Sequence, residues 1–312
     1  MDNLILVGVV MPWLNPLWMV GLGAVIALGA IFGLLFLMDW LSPKVAAIAR
    51  TTAKEALSQP IFYVGLSVAA FGLLLFPFVP YNTFGEDIKV IKDTGLTWIM
   101  VWSMVLALWT ASVSIADEIE GRTALTLLSK PIGRRSFIMG KFLGIVGAVA
   151  ILFVILGALF LCSVSYKVVY DAGESGQPVP TAEECRDEMA QITPGLALAF
   201  LETVVLISIS VAISTRLPMM ANLVICVSIY AMGHLVPLLV SSTAGQLEIV
   251  PFVGRLLATI VPVLDHFNIY VAISTGKVVP WSYVGWAGLY CLLYSAVAML
   301  LALLLFEDRD LA

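Results

Sequence analysis

Four groups of residues carry side chains able to do chemistry. The first is the stretch ADEIEGRTALTLLSKPIGRRSFIMGK, residues 116 to 141, a charged island between two long apolar runs. Gly133, Gly140 and Lys141 hint at a phosphate-binding loop. A Walker A loop, however, needs GxxxxGK[ST], so that successive backbone amides wrap the phosphates and a hydroxyl reaches magnesium. Here the two glycines stand seven apart and Phe142 occupies the place of the hydroxyl, so ATP binding by this chain is not expected. The second is Glu202, the one ionisable side chain deep in an apolar run. A charge in lipid is expensive, so Glu202 must face protein or water, either on a transport pathway or as a structural carboxyl between helices. The third is Asp265-His266 together with His234. Neither HExxH nor CxxC occurs, and a metal or hydrolytic site is not expected from so little material. The fourth is the cysteines. Cys162, Cys226 and Cys291 lie in apolar runs and Cys185 in a polar loop. That arrangement argues against a disulfide framework, a Cys162–Cys185 bridge being the one pairing left open.

The elements that must position these groups are membrane helices. The chain is 61% hydrophobic and 12% charged, with a mean hydropathy of +1.03, far from the roughly one-quarter charged residues of soluble domains. A bilayer core needs about 20 apolar helical residues per crossing, because lipid offers the backbone no partners. Seven stretches qualify: 17–38, 61–80, 96–116, 142–165, 194–215, 219–240 and 282–306. The fold class expected is therefore an all-α, polytopic helical membrane protein. The start, MDNLILVGVVMPWLNP, has no Lys or Arg, so it lacks the basic region of a signal peptide and the first span is expected to be retained. Residues 249 to 276 are too apolar for an ordinary loop yet broken by Pro251, Arg255, Pro262 and Asp265. They read as a re-entrant or interfacial element. No internal repeat and no second soluble domain is evident.

Residues 41–58 predict a different helix, capped by Ser42, with Pro43 in its first turn. Val45, Ile48, Ala49, Thr52 and Ala56 share one face, with Lys44, Arg50, Lys54 and Glu55 opposite. At this length it lies along the membrane surface. With the first span starting outside, ten basic residues fall inside and six outside. The excess puts the island and the C-terminus on the cytoplasmic side and the N-terminus outside. The segment 166–193 then reads as an acidic outward loop. No long basic run exists, so nucleic acid is not indicated as a partner.

On the cytoplasmic face the island predicts a short helix followed by a turn. Asp117, Glu118 and Glu120 favour a helix N-terminus, LTLLS supplies apolar surface, and Lys130-Pro131 ends it. Two readings stand: a solvated, positive-inside anchor, or a docking surface for a cytoplasmic partner.

Positions 118 to 142 resemble the region after the second core span of the permease subunits of type-2 ABC transporters. The matching residues are Glu118, Glu120, Gly121, Thr123, Leu127, Leu128, Ser129, Pro131, Arg134, Gly140 and Lys141, with Arg122 standing between the often adjacent Gly and Thr. TAKEALSQPIFY (52–63) and LLFEDRDLA (304–312) are also similar to that family. The resemblance covers about 41–312 and implies a six-span permease core, with residues 1–40 as one extra N-terminal span. It further implies a connecting helix at 41–58 and a coupling segment at 117–138. In that segment Asp117, Glu118, Glu120, Gly121, Thr123, Leu127, Leu128, Pro131 and Arg134 would dock a cytoplasmic ATPase subunit. ATP and magnesium would belong to that subunit, with no cofactor on this chain. A second permease copy or paralogue would complete a multi-pass assembly in the cell (inner) membrane, an exporter of unidentified substrate. The rivals are a secondary transporter, which needs more ion-coupling residues than Glu202, and an intramembrane enzyme, which lacks a nucleophile and base.

Overall fold

The computed structural model describes residues 12–81, 83, 86–117, 133–241, 252 and 261–307. Its elements are α1 (Leu17–Leu41), α2 (Pro43–Ser58), α3 (Pro60–Leu75) running into a 3-10 turn (Phe76–Phe78), and α4 (Asp87–Ala111) running into a π turn (Ser112–Asp117). They continue with α5 (Arg134–Glu174), α6 (Ala182–Ser214), α7 (Met219–Ser241), a 3-10 turn (Leu264–Phe267), α8 (Tyr270–Thr275) and α9 (Trp281–Glu307). Seven helices are long and apolar enough to cross a membrane, and the all-α polytopic class holds.

α4, α5 and α6 form the centre. They pack against one another, α9 packs on α6, and α1, α2 and α3 pack on α5. Their facing stripes carry the core, among them Ile99, Leu108, Ile145, Leu152, Leu156 and Leu206. α1 behaves differently. Val20 is its one buried residue, while Phe36 and Trp40 are 77% and 82% exposed, so nearly its whole surface is left for lipid. Among the described residues no atom lies within 4 Å of where a β-carbon on Gly29 or Gly33 would stand.

α2 forms where expected, and its covered face is Ala46, Ala49, Thr52 and Ala56. The cap differs from the expectation: Ser42 makes no side-chain bond to the helix start. Its backbone N–H bonds back to Met38 O, so one extended residue separates α1 from α2. The helix is pressed against the start of α5 at two glycines. A β-carbon at Gly140 would stand 2.6 Å from Ile48 Cβ, and one at Gly144 2.6 Å from the Ala49 carbonyl oxygen. A backbone atom cannot yield as a side chain can, so α2 and α5 approach this closely only because position 144 is glycine. Glu55 reaches Lys141 across the same contact at 3.8 Å, and Arg50 ties α2 to Asp39 of α1 at 2.6 Å.

The segment 166–193 is not the outward loop expected. α5 continues to Glu174 and α6 begins at Ala182, leaving seven residues between them. The restart is a capping box: Glu184 N donates to Thr181 Oγ1, and Thr181 N donates to a Glu184 carboxyl oxygen. α4 likewise starts at Asp87, nine residues before the apolar run 96–116. These polar extensions are held by two buried lysines. Lys167 donates to Pro77 O at 3.2 Å and meets Asp171 at 2.8 Å and Asp87 at 3.7 Å. Lys92 pairs with Glu188 and donates to Gln191 at 3.0 Å. All four cysteines are free.

Candidate functional site

Three helix stripes and one broken segment enclose a cavity of about 190 Å³. On α4, Asp93, Leu96, Thr97 and Met100 follow helical spacing. On α6, Gly195, Ala199 and Glu202 do the same, and on α7 Tyr230 and His234 are one turn apart. The segment Phe267–Tyr270 closes the remaining side. It belongs to the stretch read as re-entrant; within the described part, a 3-10 turn is followed by α8, which Asn268 opens by accepting from Tyr270 N at 2.8 Å. Gly195 marks a close approach here. A β-carbon on it would lie 2.9 Å from Leu96 Cδ1 and 3.2 Å from Ile269 Cγ1, so α4 and the broken segment close on α6 at that point.

Glu202 is 3% exposed. Its Oε1 has no hydrogen-bond partner, and the nearest ring nitrogen, His234 Nε2, stands 3.5 Å away. The other ring nitrogen, Nδ1, lies 3.2 Å from Tyr230 O. A carbonyl accepts only, so that contact puts the hydrogen on Nδ1 and leaves Nε2 without one unless the ring is charged. A buried carboxyl oxygen without a hydrogen-bond partner is an unmet demand for a donor.

A second polar group lies nearer the island. Asn222 at the start of α7 directs its amide toward Ser112 Oγ at 2.8 Å, Ser210 Oγ at 2.8 Å and Ser214 Oγ at 3.0 Å. Its Oδ1 accepts from Cys226 Sγ. Ser112 is the first residue of the π turn that ends α4. One amide thus joins the three helices that also line the cavity, beside a turn of the kind that recurs at functional sites. Between the two, α4 buries the hydroxyls of Ser103 and Thr110 on one face without partners.

Of the sequence-predicted docking residues, Asp117 ends the π turn and Arg134 opens α5. The Arg134 guanidinium lies 5.9 Å from the centre of the Phe306 ring at the end of α9. Glu118, Glu120, Gly121, Thr123, Leu127, Leu128 and Pro131 lie outside the described residues. Glu202 lines the cavity. His234 joins it, while Asp265 and His266 are exposed and do not line the cavity. The sequence reading missed Asp93, Tyr230 and Asn222. A lone amide in MANLVICVS and an aspartate one turn before an apolar run were the available signals. Among the described residues no group of three metal-ligating side chains occurs.

A family model described as ABC-2 family transporter protein matches residues 88–311. The match runs from the first turn of α4 to the end of α9 and takes in the cavity, Asn222 and the island, while α1, α2 and α3 precede it. No curated protein matches the chain.

Proposed function

Since this chain belongs to the ABC-2 transporter family, we propose that it is the permease subunit through which a separate cytoplasmic ATPase moves a substrate outward. The ATPase docks on the island, residues 117 to 138, and supplies ATP and magnesium. A second permease copy or paralogue completes the pathway, and Glu202 lies on it. The observation that carries this reading is the placement of the island's flanks. Its two ends continue into α4 and α5, and α4 both lines the Glu202 cavity and touches Asn222. A push on the island therefore reaches the cavity through one helix and one amide contact. Reconstituted with its ATPase, the chain should support substrate-stimulated ATP hydrolysis; alone it should hydrolyse none. Turnover by the isolated chain, free of any co-purified subunit, would end this assignment.

The same reading puts the island in the cytoplasm and the N-terminus outside, on the excess of basic residues beside the island-facing span ends. In a cysteine-free background, Gln177→Cys should react with an impermeant thiol reagent in intact cells. Lys130→Cys should react only after permeabilisation. The opposite pattern would invert the topology and remove the docking argument.

A further inference from the structure

Resting on the reading of the Glu202 cavity as part of the pathway, we propose that this cavity takes an organic ammonium ion, its N–H groups on Glu202 and its apolar body against the aromatic wall. The charge balance of the lining excludes most alternatives. It contains two carboxyl groups, Asp93 and Glu202, and no Lys or Arg. An anion would find no Lys or Arg to pair with, and a polar molecule without a donor would leave Oε1 of Glu202 as unsatisfied as it already is. Metal ions demand more ligands than these two carboxyls and one imidazole at 3.5 Å offer, and no such cluster exists among the described residues. What remains is a cation that donates hydrogen bonds and also tolerates an apolar setting. Leu96, Met100 and Ile269 supply apolar surface, and Tyr230, Phe267 and Tyr270 place aromatic side chains, which can stabilise a positive charge, around the same space. Asn268 and Tyr270 are exposed at one side, so the space has an opening through which a ligand enters.

The probe is phenethylammonium, compared with the uncharged 2-phenylethanol and the anionic phenylacetate. Binding is measured by calorimetry on the full chain in nanodiscs. The ammonium should bind at least about tenfold tighter than either analogue, a charge-assisted hydrogen bond being roughly twice as strong as a neutral one. Glu202→Gln should weaken it at least about tenfold while thermal melting stays near that of the parent chain, because amide and carboxyl share a shape. Ala199→Leu, which narrows the cavity without touching a charge, should weaken all binding there. Equal affinity for ammonium and alcohol, or undiminished binding by a folded Glu202→Gln chain, overturns the proposal. Phosphatidylethanolamine carries the same ammonium, so nanodiscs with and without it are compared. Competition by that lipid identifies a headgroup as the source, and its absence a soluble amine; both support the ammonium assignment. Binding without stimulation of ATP hydrolysis in the assembled complex would support the cation site and overturn its place on the pathway. Stimulation by another cargo with no ammonium binding would do the reverse.

Discussion

Charge reversal at Glu118 or Glu120 should abolish capture of the ATPase subunit, or its substrate-stimulated hydrolysis, by at least about tenfold while leaving the chain's abundance in the membrane unchanged. The two carboxylates stand in the island between the π turn that ends α4 and the start of α5. Neither residue belongs to an apolar run, so its loss removes contacts to a partner rather than core packing. Like charges brought together across an interface oppose association by several kcal/mol, whereas an exposed surface charge on a free protein changes stability by about 0.5 kcal/mol or less. Gly121→Val should impair docking more than Gly121→Ala, since a branched side chain obstructs close approach or an unusual backbone angle. Abundance, pull-down and stimulated hydrolysis are measured side by side. Normal behaviour of both reversals in all three assays would make the island a solvated anchor and nothing more.

The second large effect concerns stability. Lys167→Met should lower the unfolding free energy by about 2 kcal/mol, below the 3–5 kcal/mol typical of breaking a fully buried pair. Methionine keeps the length and apolar stem but removes the charge. Lys167 itself is 1% exposed, and its partners Asp87 and Asp171 are 19% and 30% exposed. Those carboxylates recover part of their hydration when the ammonium is gone, which sets the discount. Pro77 O loses its donor as well. Asp171→Asn should be milder, because Asp87 continues to face the lysine. Thermal melting in detergent checks both, and a Lys167→Met chain melting with the parent would show that the buried ammonium holds nothing together.

The apolar part of the fold was legible because lipid imposes a simple rule: seven apolar stretches of about 20 residues became seven helices. α2 was legible from Pro43 at its start and Gln59-Pro60 at its end. The polar extensions were not, since composition alone cannot say whether a lysine is solvated or enclosed. Lys92 and Lys167, two of the six basic residues assigned to the outside, are buried, and Glu188 and Asp87 reach them from distant parts of the chain. A nearer clue was passed over, Thr181 and Glu184 at capping-box spacing. Glu202 was identified as the group needing a protein environment, but its neighbours come from four separate elements. His234 looked like poor material for a metal site and is the imidazole beside that carboxyl. Gly140 and Gly144 stand four residues apart in the sequence, which does not say that α2 lies against them.

The unbroken length of α5 has a mechanical meaning. Forty-one residues without an internal proline make a rod about 60 Å long, twice the thickness of the bilayer core. Its foot adjoins the island and its tip carries Lys167 and Asp171. As a lever pivoting at the foot, a tilt of about 5° displaces the tip by about 5 Å, one helical turn. A small angular change imposed on one side of the membrane is thus delivered, enlarged, to the polar crown on the other.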